Sequence, residues 1–325
     1  MKTLYFDCSS GISGDMTLGA LLDLGIDKEK FVEELSKINV DGYDVIFGKA
    51  VKNGIGANKV DVVITLDGYD EDGHPVDHKH HHDHEHCHDH EHHHDHEHCH
   101  DHEHHHDHEH HHDHEHCHDH EHCHDHEHHH DHEHHHHHEH RNLKDVFDVI
   151  DNSGISEGAK ELSKKIFMRV AMAESKVHNE PLDKVHFHEV GAIDSIVDII
   201  GTAICIDMLK PDRIFSSVVN DGHGFIMCQH GQIPVPVPAT AQIFADSDVI
   251  SRQIDIDTEL VTPTGAAIIA ELAESYGAMP AMSVKKIGYG AGKKDVKIPN
   301  VLRVSMGELS EEENTEFAAI LETNI

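Results

Sequence analysis

A stretch of histidine and acidic residues, from residue 77 to residue 140, limits what the chain can fold into more than any other feature. It contains 39 of the 45 histidines and 20 carboxylates, and no aliphatic or aromatic apolar residue. A segment of this kind cannot bury enough apolar surface to offset the entropy lost on folding. We therefore predict a long disordered insertion, which leaves 261 residues for a folded body of one large domain or two ordinary ones.

The units of this His-rich tract repeat loosely as His-His-Asp-His-Glu-His, with cysteine in place of histidine at four positions. Imidazole and thiolate suit nickel, zinc, copper and cobalt, but the tract alone does not select nickel over zinc. The alternative, an expression tag or a low-complexity accident, is disfavoured because a tag is shorter, terminal and free of interleaved Asp, Glu and Cys. The candidate metal ligands are His80, His81, His82, His84, His86, Cys87, His88, Cys99, Cys117, Cys123, His134 and His136.

The charge and the cysteines restrict the class of protein. A formal net charge of −37 argues against nucleic acid and against an anionic membrane surface as partners. The apolar start before Asp7 is too short for a signal peptide, and the apolar stretch from Ile193 to Leu209 contains three aspartates and predicts a buried helix. Seven cysteines without the spacing of a disulfide framework are typical of a reducing compartment. We expect a soluble cytoplasmic protein.

The body alternates helical and strand patterns, which predicts an α/β or α+β fold with a mixed sheet of undetermined strand order. The first 70 residues have a β-α-α-β-β pattern, in which Asp27 can cap the second helix. We divide the chain into residues 1–76, the insertion 77–140, the rest of the body 141–308, and an acidic linker with the start of a truncated domain, 309–325. The later predicted elements are helices at 143–150, 156–177 and 190–209, a strand at 213–219, an extended segment at 233–238, a helix from Thr262, a lysine-bearing strand, a glycine loop at 288–292 and a strand at 301–306.

The densest group of potential metal ligands outside the tract is His186-Phe187-His188-Glu189, followed by Asp194. If residues 185–188 are extended, His186 and His188 point to the same side, because side chains alternate along a strand. Glu189 and Asp194 then enter the next helix, and the group could hold one metal ion. Alternatively, the two carboxylates cap that helix and the histidines bond to the backbone.

A second candidate metal site lies in a glycine-rich loop that contains His223, Cys228 and His230. The glycines around these residues would let the backbone approach a ligand, or they would simply form turns. The pattern does not decide between the two.

Two helix starts and a lysine cluster are candidates for binding a phosphate group. Unpaired N–H groups and hydroxyl donors at the start of a helix attract an anion, although such motifs are more often simple caps. The lysine pairs at 285–286 and 293–294 would attract the same anion, or they would be charges that keep an edge strand soluble. The candidate phosphate-binding residues are Ser10, Gly11, Ser13, Gly14, Asp15, Thr262, Thr264, Gly265, Lys285 and Lys293.

Five stretches together resemble the LarC family of nickel insertion proteins. They are LYFDCSSGISGDM at 4–16, HFHEVGAIDSIVD at 186–198, GQIPVP at 231–236, TPTGAA at 262–267 and IPNVLR at 298–303. The resemblance implies that Ni(II) is inserted into pyridinium-3,5-bisthiocarboxylic acid mononucleotide, with one nickel–carbon and two nickel–sulfur bonds, and that CTP with Mn(II) or Mg(II) is used. A nickel–carbon bond requires loss of a ring proton, and His188 or Glu189 would be the catalytic base.

The resemblance also implies partners. Family members continue past Ile325 into a C-terminal domain that carries the CTP site, so we expect a separately encoded C-terminal domain as a partner. The nickel-pincer-dependent enzyme and a second copy of the chain are further expected partners. Two other functions stay open: a nickel store or metallochaperone without catalysis, based on the tract, and a zinc-dependent hydrolase built on His186, His188 and Glu189.

Overall fold

A computed structural model describes residues 1–40, 42–65, 142–185, 187, 193–228 and 231–310, except for the side chain of residue 64. The predicted insertion therefore lies outside the described residues, as does residue 311 onward. Within the described ranges, helices and strands alternate as the sequence pattern indicates. In chain order they are β1 (Lys2–Asp7), α1 (Gly14–Asp23), α2 (Lys28–Ser36), β2 (Tyr43–Lys52), β3 (Ile55–Ile64), α3 (Leu143–Asn152), α4 (Glu157–His178), a 3-10 turn (Leu182–Lys184), α5 (Ile193–Leu209), β4 (Arg213–Ser216), β5 (Val219–Asp221), β6 (Phe225–Cys228), β7 (Gly231–Pro234), α6 (Pro238–Ala245), β8 (Ser251–Gln253), α7 (Pro263–Leu272), β9 (Met282–Ala291) and β10 (Val301–Leu309).

The main sheet is mixed, which confirms the predicted fold class. Its six described strands have the order β2-β3-β9-β10-β1-β4. β1 pairs antiparallel with β10 and parallel with β4, while β3 meets β9 in parallel at Asn58 and Gly290. Strands from before and after the His-rich tract thus lie side by side in one sheet. Two further pairs of strands, β5 with β8 and β6 with β7, stand outside it.

Helix α1 packs directly on β9, and glycines make this possible. A Cβ atom on Gly290 would lie 2.6 Å from the backbone nitrogen of Ala20, and one on Gly288 would lie 3.1 Å from that of Leu24. The expectation of a glycine loop at 288–292 was therefore wrong: Gly288 and Gly290 are strand residues whose missing side chains admit the helix backbone.

The core lies between the sheet and the helices. Phe31, Phe167 and Phe187 are buried there together with the apolar residues of α5. The rings of Phe167 and Phe187 pack at a centroid distance of 6.2 Å, which anchors residue 187 against α4. Each large apolar side chain buried in this way contributes about 1.5–3 kcal/mol.

Local signals placed several helix starts correctly. Asp27 caps α2 by accepting the N–H groups of Glu29 and Lys30, and Thr262 caps α7 through Gly265. Both caps satisfy N–H groups that the helix itself leaves unpaired, which is why the sequence pattern is reliable there.

Other predicted boundaries were wrong. The strand expected at 213–219 is two strands in different sheets, because the chain leaves the main sheet after Ser216. The extended segment expected to reach Pro238 ends earlier, since Pro238 is the first residue of α6, a position where its missing N–H costs nothing. The Lys285 pair lies on β9, which stands between β3 and β10 and, among the described residues, meets β3 at a single bridge, Asn58 with Gly290.

None of the helices in the described part of the chain has both the length and the apolar character that crossing a bilayer requires.

Candidate functional site

The starts of α1, α5 and α7 converge on one cavity of about 290 Å³. The connection between β9 and β10 and the strand β3 also line it. Each helix start carries roughly half a positive charge, so the convergence favours a bound anion. The lining residues are Ser13, Gly14, Asp15, Met16, Val60, Val62, Asp194, Ser195, Asp198, Glu259, Leu260, Thr262, Pro263, Thr264, Gly292, Lys293, Lys294 and Asn300.

Helix α1 begins without a side-chain cap. Ser13 has extended backbone angles, but its hydroxyl donates to the carboxylate of Asp15 and does not accept a backbone N–H. Asp15 Oδ1 also accepts the N–H of Met16 at 2.8 Å. The first turn of α1 therefore presents a serine, a glycine and an acidic side chain to the cavity.

The loop before α1 is joined to the segment before α7 by backbone contacts. The N–H of Ile12 donates to the carbonyl of Leu260 at 3.0 Å, and the N–H of Thr262 donates back to the carbonyl of Ile12 at 3.2 Å. A Cβ atom on Gly265 would lie 2.8 Å from the Cα of Ser13, so only glycine allows the two helix starts to approach this closely. Gly11 has a φ of +86°, and a Cβ atom on it would collide with Leu260.

Asp198 lies beneath the start of α1. A Cβ atom on Gly14 would stand 2.7 Å from the Cβ of Asp198 and 2.8 Å from its Cγ. The Oδ1 atom of Asp198 is buried and has no hydrogen-bond partner among the described residues. Burial raises the pKa of Asp198 well above the usual value of an aspartate, the charges of Asp15 and Asp194 raise it further, and Lys293 lowers it. A buried carboxylate oxygen without a hydrogen-bond partner can be satisfied by a proton or by a ligand.

The other charges of the cavity are mixed in sign. Burial raises the pKa of Asp15, while its bonds from Ser13 and Met16 and the charge of Lys293 lower it. Lys294 is paired with Glu259 at 3.4 Å. Lys293 is exposed and attracts both Asp15 and Asp198. The cavity can therefore receive an anion at its helix starts and a cation at its carboxylates.

Asp221 supports one wall of the cavity. Its Oδ1 accepts the N–H groups of Leu260 at 2.8 Å and of Val261 at 3.1 Å, and also that of Gly222. Its Oδ2 is buried and has no hydrogen-bond partner in the part of the chain that the structure describes. Burial raises the pKa of Asp221, and the hydrogen bonds from these N–H groups lower it. The carboxylate of Asp221 thus holds the backbone of the segment that carries Glu259 and Leu260.

The structure brings together many of the predicted phosphate-binding residues. Ser13, Gly14, Asp15, Thr262, Thr264 and Lys293 all line the cavity. Ser10, Gly11 and Gly265 are next to it but do not line it.

Lys285 is not part of this group. It is the unpaired residue of a bulge in β9, since Lys286 faces Met306 and Val284 faces Gly307. Helix α1 runs along β9 from Gly290 towards Gly288, so Lys285 lies near the opposite end of α1 from Asp15.

The predicted metal ligands are mostly outside the described residues. This holds for His186, His188, Glu189 and His230 and for every listed ligand of the tract. Asp194 lines the cavity, where its Oδ1 accepts the N–H of Ser195 at 2.7 Å. His223 lies away from this cavity. Its backbone N–H donates to the carbonyl of Ile256, and its ring Nε2 lies 3.2 Å from Asp255 Oδ1. No group of three or more His, Cys, Asp or Glu side chains in the described ranges is arranged to hold a metal ion.

Several cavity residues were missed by the sequence interpretation. Asp198 is visible in the sequence one turn beyond Asp194, as an acidic residue between the apolar pairs 196–197 and 199–200, but it was not chosen as a site residue. Asn300 lies in the stretch 298–303 that resembles the family, and it was not chosen either. Asn300 donates to the carbonyl of Lys294 at 2.9 Å and so shapes the loop that carries Lys293.

Comparisons with known proteins identify the family. The family model described as nickel insertion protein matches residues 4–325. Pyridinium-3,5-bisthiocarboxylic acid mononucleotide nickel insertion protein of Acetivibrio thermocellus is 42% identical over 326 residues, which cover 100% of this chain and 65% of that relative. The protein of the same name from Clostridium acetobutylicum is 44% identical, with 100% of this chain and 68% of the relative covered.

A third relative of that name, from Geobacillus kaustophilus, is 40% identical over 95% of this chain and 60% of its own length. The chain thus spans about two thirds of the length of these curated relatives. No solved structure matches it significantly. The match over nearly all of the sequence shows that the chain belongs to the nickel insertion protein family.

Proposed function

We propose that this chain provides the substrate-binding part of a nickel insertion reaction, in which Ni(II) enters pyridinium-3,5-bisthiocarboxylic acid mononucleotide to form the nickel-pincer cofactor. The names of its relatives support this substrate. The single observation that carries the proposal is the convergence of three helix starts and Lys293 on one cavity. A mononucleotide has a phosphate group, and helix starts with a lysine are the usual way in which proteins hold one.

The phosphate would lie between the starts of α1 and α7. Ser13 and Thr264 have hydroxyl groups at this cavity, and Lys293 adds a positive charge. The hydroxyl of Thr262 is already used as an acceptor by the N–H of Gly265, at 3.1 Å, so its proton is free to point towards an anion. These groups would orient the nucleotide, and the pyridinium ring would extend away from the helix starts.

The reactive nickel would be held by the segment just before α5. Forming a nickel–carbon bond replaces a ring proton, so a base must stand close to the metal, and we propose His188 or Glu189 for this role with His186 as a ligand. Glu189 precedes Asp194 by five residues, and five residues span at most about 18 Å. Because Asp194 lines the cavity, the segment is within reach of the proposed substrate.

The His-rich tract would store Ni(II) or supply it to this site. Its imidazole and thiolate groups suit nickel, and its carboxylates complete the coordination or accept the second imidazole proton. The alternative function, a nickel store without catalysis, rests on the same tract. Deletion of residues 78–140 separates the two: nickel insertion should survive with the body intact, while the number of nickel ions bound per chain should fall sharply.

We further propose that turnover uses CTP with Mn(II) or Mg(II), bound by a C-terminal domain. This chain spans 65% of the Acetivibrio relative, which has further sequence for such a domain. The proposed compartment is the cytoplasm, because seven cysteines without disulfide spacing suit a reducing environment.

The test combines the purified chain with a separately produced C-terminal part, corresponding to the last third of the Acetivibrio relative. The thiocarboxylated mononucleotide, Ni(II), CTP and Mg(II) are added, and the nickel-loaded nucleotide is measured by mass spectrometry. We expect product only when both protein parts are present. Absence of product under every condition, from parts shown to be folded, would contradict the proposed function.

A further inference from the structure

The proposed phosphate site contains more negative charge than a phosphate would tolerate. Asp15, Asp194 and Asp198 all line the cavity beside the helix starts. Lys294 is already paired with Glu259, which leaves Lys293 as the lysine that faces Asp15 and Asp198. One lysine and the helix starts cannot neutralise the ionised carboxylates of Asp15 and Asp198 together with a phosphate. A proton or a cation must neutralise the carboxylates when the phosphate binds.

The structure indicates where a positive charge that neutralises these carboxylates would bind. Asp198 Oδ1 is buried and unpartnered, although the carboxylate lines a cavity. Its other oxygen is pressed against the backbone of Gly14 at the start of α1. Asp15, on the next residue, uses its Oδ1 for Ser13 and Met16, while no bond is given to its Oδ2 by the described residues. Two carboxylates from different helices thus line the same cavity, and each has an oxygen atom that receives no bond from the described residues.

We propose that Asp15 and Asp198 bind a divalent, oxygen-preferring cation of the Mg²⁺ type, which bridges them to the phosphate of the mononucleotide. This inference rests on the proposed function, since it takes the mononucleotide as the ligand. The site is separate from that of the nickel, which would be held by histidine-bearing residues. It is also separate from any cation that accompanies CTP in a C-terminal domain.

The chemistry of the donor atoms favours a hard cation. Carboxylates are preferred by Mg²⁺ and Mn²⁺, whereas nickel and zinc prefer imidazole and thiolate. Mg²⁺ is commonly held by one or two carboxylates plus phosphate oxygens and water, and not by a complete protein cage. The described residues contain no group of three or more His, Cys, Asp or Glu side chains that could hold a metal ion, so phosphate oxygens and water would have to complete the coordination.

Such a bridge makes cation and nucleotide binding cooperative. Each ligand supplies charge that the other needs, so each should tighten the binding of the other by the same factor. Neither Asp15 nor Asp198 could be replaced by an amide without losing this coupling. A purely structural role for Asp198 would not produce it.

The experiment titrates the full chain with nicotinate mononucleotide, a commercially accessible pyridinium mononucleotide, by isothermal calorimetry. One series contains a chelator and the other contains excess Mg²⁺. The concentration of free cation therefore stays constant throughout each titration. We expect Mg²⁺ to tighten nucleotide binding by roughly tenfold in the unmodified chain, within the usual range of coupled sites. In Asp198→Asn and in Asp15→Asn this effect should disappear.

Asp248→Asn is the matched control, because Asp248 is exposed and lines a different cavity, next to Tyr276. It should retain the full effect of Mg²⁺. Thermal unfolding monitored by circular dichroism shows whether each variant is folded. The inference is overturned if folded Asp198→Asn and Asp15→Asn keep the effect, or if Mg²⁺ does not change nucleotide binding by the unmodified chain.

The outcome is distinguishable from failure of the proposed function. Mg²⁺-dependent nucleotide binding without any nickel insertion would support the cation site and contradict the insertion reaction. Nickel insertion by a chain whose affinity for the nucleotide does not change with Mg²⁺ would support the insertion reaction and contradict the cation site.

Discussion

The carboxylate of Asp198 is packed against the backbone of Gly14, so that the first turn of α1 and the second turn of α5 meet without an intervening side chain. A Cβ atom on Gly14 would lie 2.7 Å from the Cβ of Asp198. Residues 184 positions apart in the sequence therefore depend on each other's size. Asp198 can lie at the start of α1 because residue 14 is glycine.

Gly14→Ala should displace Asp198 and impair the cavity. The added methyl group cannot be accommodated unless α1 or the Asp198 side chain moves, and overpacking of this kind costs about 1–3 kcal/mol. We expect a lower melting temperature and the loss of Mg²⁺-dependent mononucleotide binding. Gly56→Ala is the control, because a Cβ on Gly56 meets nothing within 4 Å. Equal behaviour of the two variants would contradict the packing argument.

Gly290→Ala tests the contact of α1 with the sheet. A Cβ atom there would lie 2.6 Å from the nitrogen of Ala20, which is helix backbone and cannot rotate away. We expect destabilisation of about 3 kcal/mol or more by chemical unfolding, at the upper end of the cost of overpacking. Gly56→Ala again serves as the comparison, and a loss below about 1 kcal/mol in Gly290→Ala would show that α1 shifts easily.

Lys293→Gln should weaken mononucleotide binding, whereas Lys285→Gln should not. Lys293 lines the cavity, and Lys285 lies in the bulge of β9. Loss of a charged hydrogen-bond donor to a phosphate costs about 1.5–3 kcal/mol, a decrease in affinity of roughly tenfold or more. Calorimetry in the presence of Mg²⁺ measures both variants. An equal loss of affinity in the two would place the phosphate elsewhere.

Asp221→Asn should change the pH dependence of stability in a defined direction. Because burial raises the pKa of Asp221 in the folded chain, this carboxyl favours folding below its usual pKa and loses that contribution as pH rises through the raised value. The amide does not ionise. The free energy of unfolding of Asp221→Asn relative to the unmodified chain should therefore increase as pH rises from about 4 towards neutrality.

Asp246→Asn is a control for which the pH dependence of stability should have the opposite sign. The hydrogen bond from Lys176 lowers the pKa of Asp246, so its contribution to stability is present above the usual pKa and is lost as pH falls through the lowered value. This variant should be the less stable one at neutral pH and approach the unmodified chain in acid. Urea unfolding between pH 3 and pH 8 follows both variants, and parallel curves would contradict the assignments.

The sequence alone determined those features that depend on neighbouring residues. Asp27 and Thr262 mark helix starts because a cap acts on N–H groups two or three positions ahead. The five stretches that resemble LarC were sufficient to identify the family, which the comparisons confirm. Metal binding by the tract stays a prediction from composition, because the residues concerned lie outside the described ranges.

Only the tertiary structure decided which of these residues share a site. Lys285 and Lys293 are eight residues apart and looked equivalent in the sequence, but β9 runs along α1 and separates their positions. Gly288 and Gly290 looked like a loop because local patterns cannot show that a helix backbone lies on the strand. Asp198 and Asp15 come together for the same reason: their proximity depends on how two distant helices pack on the sheet, and packing of that range leaves little trace in the residues on either side.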